Sequence, residues 1–213
     1  MLVGSEKNFR LGASHTIGSY ILPGEPIDTI HALVEKKIKL TIAPCDEIVK
    51  AVKEQKLDLG FIESVVFDDA LVYQEWMEDE LVLCAKKELA SSLVKEDLES
   101  CRLICQEKES LDRIFIQEFL TKQGFSEDDF NAISEVDNPT AIIQSIKWSR
   151  PSAPITSVAI VSKIAIEYEL KYNDLYGSII NNEPIVRNFY MLYREDSEQI
   201  KRIKTICSKL IAL

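Results

Sequence analysis

The sequence predicts an α/β fold in which mostly parallel sheet is flanked by helices on both faces, with the strands falling into two groups. Three observations carry this. Short apolar or alternating runs recur along the chain, and between them apolar residues repeat at helical spacing. Residues that start helices, namely Ser, Thr, Asn and Pro, stand directly after several of those runs. Strand–helix alternation of this kind builds a parallel sheet, and there are too many strands for one tidy sheet of this size.

In chain order, Phe9–Ala13 reads as a strand, after which Ser14, His15 and Thr16 open a helical stretch through Leu22. Pro23-Gly24-Glu25-Pro26 interrupts it, and Pro26 suits the first turn of a new helix with Ile27, Ile30, Leu33 and Val34 on one face. Ile38–Ile42 alternates apolar and polar residues as a half-buried strand does. Pro44-Cys45-Asp46 leads into a helix burying Ile48, Val49 and Val52. Leu57–Ile62 is a strand ending at Glu63, and Leu81–Ala85 is a continuous apolar strand.

A second series begins with a strand at Arg102–Cys105. A helix marked by Leu111, Ile114, Phe115 and Phe119 stops near Gly124, a suitable C-terminal glycine. Asn131–Val136 is a strand. Asn138-Pro139 starts a helix, with Asn as the cap and Pro in the first position. The loop Arg150-Pro151-Ser152-Ala153-Pro154 is a surface excursion. Val158–Val161 is a buried strand, and Ser162 caps the helix after it. Phe189–Tyr193 is the last strand, and Ile200, Ile203, Cys207 and Leu210 stripe a closing helix.

The 213 residues suffice for one ordinary domain or two small lobes. The formal charge is −10, with no basic cluster. Binding to DNA relies on Lys and Arg neutralising phosphates, so any gene-regulatory role takes its DNA contact from a segment outside this sequence. No apolar run approaches the roughly 20 residues that cross a bilayer, and Met1–Arg10, with Glu6, Lys7 and Arg10, lacks the apolar core of a secretory signal. The odd count of five cysteines fits reduced thiols in a cytoplasm. Cys101 and Cys105 are the only close pair. A redox role needs an accessible, cationic setting, and Cys105 within an apolar run reads better as a small hydrophobe. The two histidines, His15 and His31, give no metal-ligand spacing.

The order of motifs resembles the effector-binding domain of LysR-type transcriptional regulators, from about Phe9 to the C-terminal helix. Phe9–Pro23 is similar to the family's opening strand, hydroxyl-bearing turn and Leu-Pro helix. Leu57–Glu63 is similar to its strand running into the cleft, and Glu107–Arg113 to the Ser-then-Arg helix start of the second lobe. Two departures stand out. Ser152–Ser157 occupies the place of a glycine-rich turn, and the winged helix-turn-helix expected N-terminal to such a domain is not in this sequence. The resemblance implies a two-lobed fold like type 2 periplasmic binding proteins. Lobe I comprises residues 1–83 plus 188–213 and lobe II residues 84–187. Two crossing strands form the hinge, and the effector occupies the cleft. It further implies a cytoplasmic homodimer, antiparallel, using the helix around Ile27–Val34 and a second-lobe helix, that touches DNA only through the missing domain.

In open α/β sheets, ligands bind beyond the carboxyl ends of strands, where helix N-termini favour anions. A small anionic effector is the natural guest, without cofactor, metal or membrane. The candidate ligand-binding residues are Ser14, His15, Thr16 and Glu63 in lobe I and Gln106, Ser110, Asn138 and Thr140 in lobe II. For each of the hydroxyl and amide residues the competing reading is an ordinary helix cap; the resemblance raises Ser14, Thr16 and Thr140 above it. The competing reading of His15, a histidine at the surface or behind the ligand contacts, is the stronger one, and Glu63 reads equally as a solvated rim carboxylate. Arg113 opposes the dipole of its own helix and either meets an anion or pairs with Glu109 or Asp112. Trp76 and Trp148 read as packing residues. No nucleophile elbow, phosphate loop or dinucleotide turn appears, so an enzyme is not expected. The acidic pairs Asp68-Asp69 and Asp128-Asp129 read as solvated turns. The alternative function is a solute-binding protein of a transport system with the same cleft, and an enzyme on this scaffold is the third.

Overall fold

A computed structural model describes residues 8–63 and 67–213. The charged residues Glu6 and Lys7 of the opening segment lie outside the described residues. In chain order the strands and α-helices are β1 (Phe9–Ala13), α1 (Glu25–Val34), β2 (Ile38–Ile42), α2 (Cys45–Lys53), β3 (Leu59–Ile62), β4 (Val72–Ala85), β5 (Ser92–Leu93), α3 (Lys95–Leu98), β6 (Cys101–Cys105), α4 (Leu111–Lys122), β7 (Ala132–Glu135), α5 (Pro139–Lys147), β8 (Thr156–Ser162), α6 (Glu167–Lys171), β9 (Tyr176–Ile180), β10 (Ile185–Tyr193) and α7 (Ile200–Ile211). The chain divides into two compact units, Met1–Glu78 with Asn188–Leu213, and Asp79–Arg187. It passes from one to the other within β4 and again within β10.

In the first unit, β1 lies between β2 and β3, parallel to both. β10 returns antiparallel to β3. β1 and β3 are largely buried, because central parallel strands are covered on both faces, whereas β2 is mostly exposed. Phe9, Leu11, Leu59, Phe61 and Phe189 are fully buried. The helix α2 sits close over a glycine pair: Gly12 and Gly60 are register partners. A Cβ at Gly12 would stand 2.3 Å from Leu57 and 2.9 Å from Ile48, and one at Gly60 would stand 2.9 Å from Ile48. The missing side chains therefore let Ile48 rest on the strands.

The second unit repeats the plan. β6 lies between β7 and β8, parallel to both, and β4 runs antiparallel to β8 and β9. Leu81, Leu83, Leu103, Val158 and Ile160 join Leu120, Phe125 and Phe130 in one apolar cluster. Asn138 and Pro139 open α5 as the sequence predicts, the Asn138 side-chain carbonyl accepting from the Ala141 amide at 3.2 Å. Ser162 likewise accepts from the Ala165 amide.

Three local features depart from expectation. The stretch after β1 winds as a π-helix over Ile17–Ile21, not as a regular α-turn. β4 begins nine residues before the expected Leu81, as its range Val72–Ala85 shows. Its polar first half, Tyr73-Gln74-Glu75, carries no strand signal of its own. The short β5 and the glycine-bearing β9 pair in parallel with one another, and neither stands out in sequence.

Candidate functional site

In the first unit the ends of β1 and β3 bring four predicted residues to one edge of the sheet. β1 ends at Ala13 and β3 at Ile62, and Ala13 pairs with Phe61. Ser14 therefore lies just past the carboxyl end of β1, and Glu63 just past that of β3. The Ser14 amide donates to the Phe61 carbonyl at 2.9 Å, tying the turn to the neighbouring strand. The Ser14 carbonyl accepts from Gly18 at 2.8 Å and starts the helical winding. Ser14, Thr16 and Glu63 are buried, and His15 is half-buried.

The Ser14 hydroxyl is the unusual group. Its Oγ is buried and has no hydrogen-bond partner among the described residues, and neither does the buried Tyr20 Oη six residues on. Thr16 makes no side-chain cap. Capping therefore does not explain these hydroxyls. A buried, unsatisfied hydroxyl costs about 1–3 kcal/mol. Tyr20 is the residue that sequence reasoning missed, since nothing in the local pattern tells a buried phenol from a packing ring.

In the second unit Gln106 directly succeeds β6, and Ser110 caps α4. Asn138 and Thr140 open α5 after β7. β6 and β7 are parallel, with Cys105 opposite Glu135, so these residues also stand beyond carboxyl ends. Here the side chains of Gln106, Ser110 and Asn138 have partners within the unit. Ser110 Oγ donates to Gln106 Oε1 at 2.8 Å and accepts weakly from the Arg113 amide at 3.5 Å. Asn138 caps α5.

Arg113 differs from both readings of the sequence. It is buried and pairs not with Glu109 or Asp112 but with Glu127 and Glu135, at 2.8 and 2.5 Å. Its Nη1 also donates to the Gln106 carbonyl. The two carboxylates compensate its charge and raise its pKa, with the Glu127 bond the largest cause. In return the guanidinium holds Glu127 below the usual carboxylate range. The partners come from residues far along the chain, which spacing cannot reveal.

A second buried charge network joins Asp79, Arg187, Asp112 and Ser162. Arg187 donates to Asp79 at 3.0 Å and to Asp112 at 2.9 Å, and Ser162 donates to Asp79 at 2.8 Å. Burial pushes the Asp79 carboxyl up, and its arginine and serine partners oppose that shift.

Burial works against ionisation of Cys84, Cys101, Cys105 and Cys207. Burial pushes Cys84 and Cys207 up to about 12 and Cys105 up to about 11, although Arg113 acts against the shift at Cys105. Trp76 packs edge-on against Phe61 and donates to the Leu210 carbonyl. Trp148, in contrast, is 82% exposed and departs from a core reading. No helix among the described residues is long and apolar enough to cross a membrane.

A family model described as the LysR substrate binding domain matches residues 4–210. A probable RuBisCO transcriptional regulator of Thalassiosira pseudonana is 26% identical over 93% of this chain and 66% of its own length. This chain thus spans about two thirds of that relative. Among solved structures, the Synechocystis PCC6803 CcmR regulatory domain in complex with 2-PG aligns with a TM-score of 0.76 at 18% identity, covering 96% of each chain. The effector binding domain of QuiR in complex with shikimate aligns at 0.73 and 18% identity, over 96% of this chain and 97% of that one. These likenesses establish the fold, the type 2 periplasmic-binding-protein-like fold of LysR regulatory domains. With nearly its whole length matched, the chain belongs to the LysR substrate-binding-domain family.

Proposed function

We propose that this chain senses a small anionic effector on behalf of a DNA-binding transcriptional regulator. The observation that carries the reading is the buried Ser14 hydroxyl at the carboxyl end of a parallel strand, without a partner among the described residues. Such strand ends are where open α/β sheets receive ligands. A ligand oxygen beside Ser14 removes the cost of the unsatisfied group. Thr16 and Glu63 flank that position in the first unit, with His15 beside them. In the second unit Gln106, Ser110, Asn138 and Thr140 are the corresponding candidates. Support for an anion comes from the helix starts, whose first amides lack intrahelical partners. The 2-PG and shikimate named with the two neighbouring structures are in keeping with it.

The wider reading is a cytoplasmic homodimer with no catalytic role, paired through α1 and a helix of the second unit. α1 buries Ile30 and Val34 inward and leaves His31 and Ala32 outward for such a contact. DNA contact belongs to a segment beyond this sequence, consistent with the net charge of −10. The transport reading has less support, since relatives matched across about two thirds of their length are named as regulators.

The test is a calorimetric titration with small carboxylates, amino acids, sulfate and phosphate. The expected result is saturable binding to one class, weakened about tenfold, or ~1.4 kcal/mol, in Thr16→Ala and in Thr140→Ala. Binding unaffected by both substitutions would remove these residues from the site. Sedimentation at micromolar concentration checks the dimer.

A further inference from the structure

We propose that the second unit carries a separate site for a flat aromatic carboxylate, in the groove at the C-terminal end of α5. The groove is open to solvent and offers about 650 Å³, a volume within the ~300–1,000 Å³ typical of small-molecule sites. It contains none of the residues Gln106, Ser110, Asn138 and Thr140, so it is independent of the effector site proposed for the strand ends. Its floor is Ile104, buried in β6, and its apolar wall includes Pro154 and Ile155 of the loop after α5. Trp148, 82% exposed, stands at the edge with its indole Nε1 donating to Gln144.

The charge in the groove is what selects the ligand. Arg102 and Arg150 both line it, and neither has a carboxylate partner among the described residues. In a chain with 35 acidic against 25 basic residues, arginines left without an acid are conspicuous. Arg102 is held on one side by Ser157, to which its Nη2 donates at 2.8 Å. A guanidinium has five N–H donors in a planar fork, so most of that fork stays available for a carboxylate. The C-terminal end of α5 opposes an anion with about half a negative charge, against two full positive ones. An aromatic ring laid between the indole and Ile155 places its carboxylate toward the arginines. A protein partner fits less well: a stable interface covers about 800 Å² on each side, far more than this groove offers.

The test uses two-dimensional NMR of the whole chain, which has two tryptophans and hence two indole N–H signals, assigned with Trp148→Phe. Titration with 1-naphthoate is expected to move the Trp148 signal saturably, with half-saturation near ~0.1–1 mM, while the Trp76 signal stays in place. Arg102→Gln and Arg150→Gln, both at exposed positions, are expected to weaken binding at least about tenfold each. The neutral 1-naphthalenemethanol is expected to bind more weakly than the acid. The proposal is overturned by a shift that never saturates, by equal response to acid and alcohol, or by arginine variants that bind as the parent does. It is also overturned if an acidic peptide moves the Trp148 signal and naphthoate does not, which would make the groove a protein-docking surface. Because Ser14→Ala and Thr16→Ala leave the groove untouched, loss of effector binding in those variants alongside normal naphthoate binding separates the two sites.

Discussion

The two units share a strand plan but handle polarity in opposite ways. In the first, buried space is mostly apolar apart from Ser14, Thr16 and the single acid Glu63, α2 closes onto a glycine pair, and the charged pairs Arg10–Asp58 and Arg194–Asp196 have at least one member well exposed. Its buried polar atoms include the Ser14 and Tyr20 hydroxyl oxygens, which have no partner among the described residues. In the second, full charges are buried: the side chains of Arg113, Arg187 and Asp79 are 2%, 5% and 0% exposed. Each has counter-charges and hydrogen bonds around it. A satisfied buried network is scaffold, because its groups have no capacity left for a guest. An unsatisfied buried hydroxyl is a cost that a guest can remove.

The strongest test of this contrast is to break the second unit's network. Arg187→Met leaves the Asp79 carboxylate fully buried and takes away its counter-charge, with the Ser162 hydroxyl still donating to it. The expected loss is about 3–5 kcal/mol in urea denaturation, as for a buried pair deprived of one partner. A loss below ~1 kcal/mol would mean that water reaches Asp79 and that the network is not a buried one.

Next is the glycine pair of the first unit. Gly12→Ala places a methyl 2.3 Å from the Leu57 side chain and 2.9 Å from that of Ile48, so these side chains must give way. The expected cost is about 1–3 kcal/mol. Ile48→Val in the same background should return part of it, because the clash is with Ile48 as well as Leu57. Thermal denaturation of the single and double variants checks the coupling.

A third test separates charge from packing through pH. The folded-state pKa of Glu127 lies below its unfolded value of 4.5 because Arg113 bonds it. Its contribution to stability is therefore fully present above the unfolded pKa and is lost as pH falls through the folded one. Glu127→Gln should cost about 1–3 kcal/mol at pH 7, with the gap to the parent narrowing as the pH is taken below 4.5. A gap that persists unchanged into strong acid would assign the loss to packing.

How much of this was legible in sequence depends on the range of the interaction. Local signals read well: Asn138-Pro139 starts α5, Ile48, Val49 and Val52 face inward on α2, and Phe9–Ala13 is a strand. The hydroxyl turn at Ser14 and the strand ending at Glu63 were visible as motifs, and parallel pairing of β1 with β3 sets them side by side. What sequence hid was every property set by distant residues. Arg113 finds acids 14 and 22 residues away, and Asp79 finds Arg187 at a separation of 108. The start of β4 has no apolar run to mark it, and Tyr20 becomes notable only once its oxygen is known to be buried and without a partner among the described residues.

The smallest effect discriminates best between the units, because its sign differs between them. Asn138→Ala removes a cap that accepts from the Ala141 amide and should cost about 1 kcal/mol. Ser14→Ala removes a buried oxygen that accepts and donates nothing among the described residues. Without effector, that change should be neutral or stabilising by up to ~1 kcal/mol, because it deletes a desolvated polar atom together with its penalty. With effector, the order should reverse: parent gains stability on adding ligand by the linkage of binding to folding, and Ser14→Ala gains less. Paired thermal melts with and without the carboxylate found by calorimetry check both signs. If Ser14→Ala is destabilising in the absence of ligand, its hydroxyl has a partner within the protein, and the first unit then satisfies its buried oxygens as the second does.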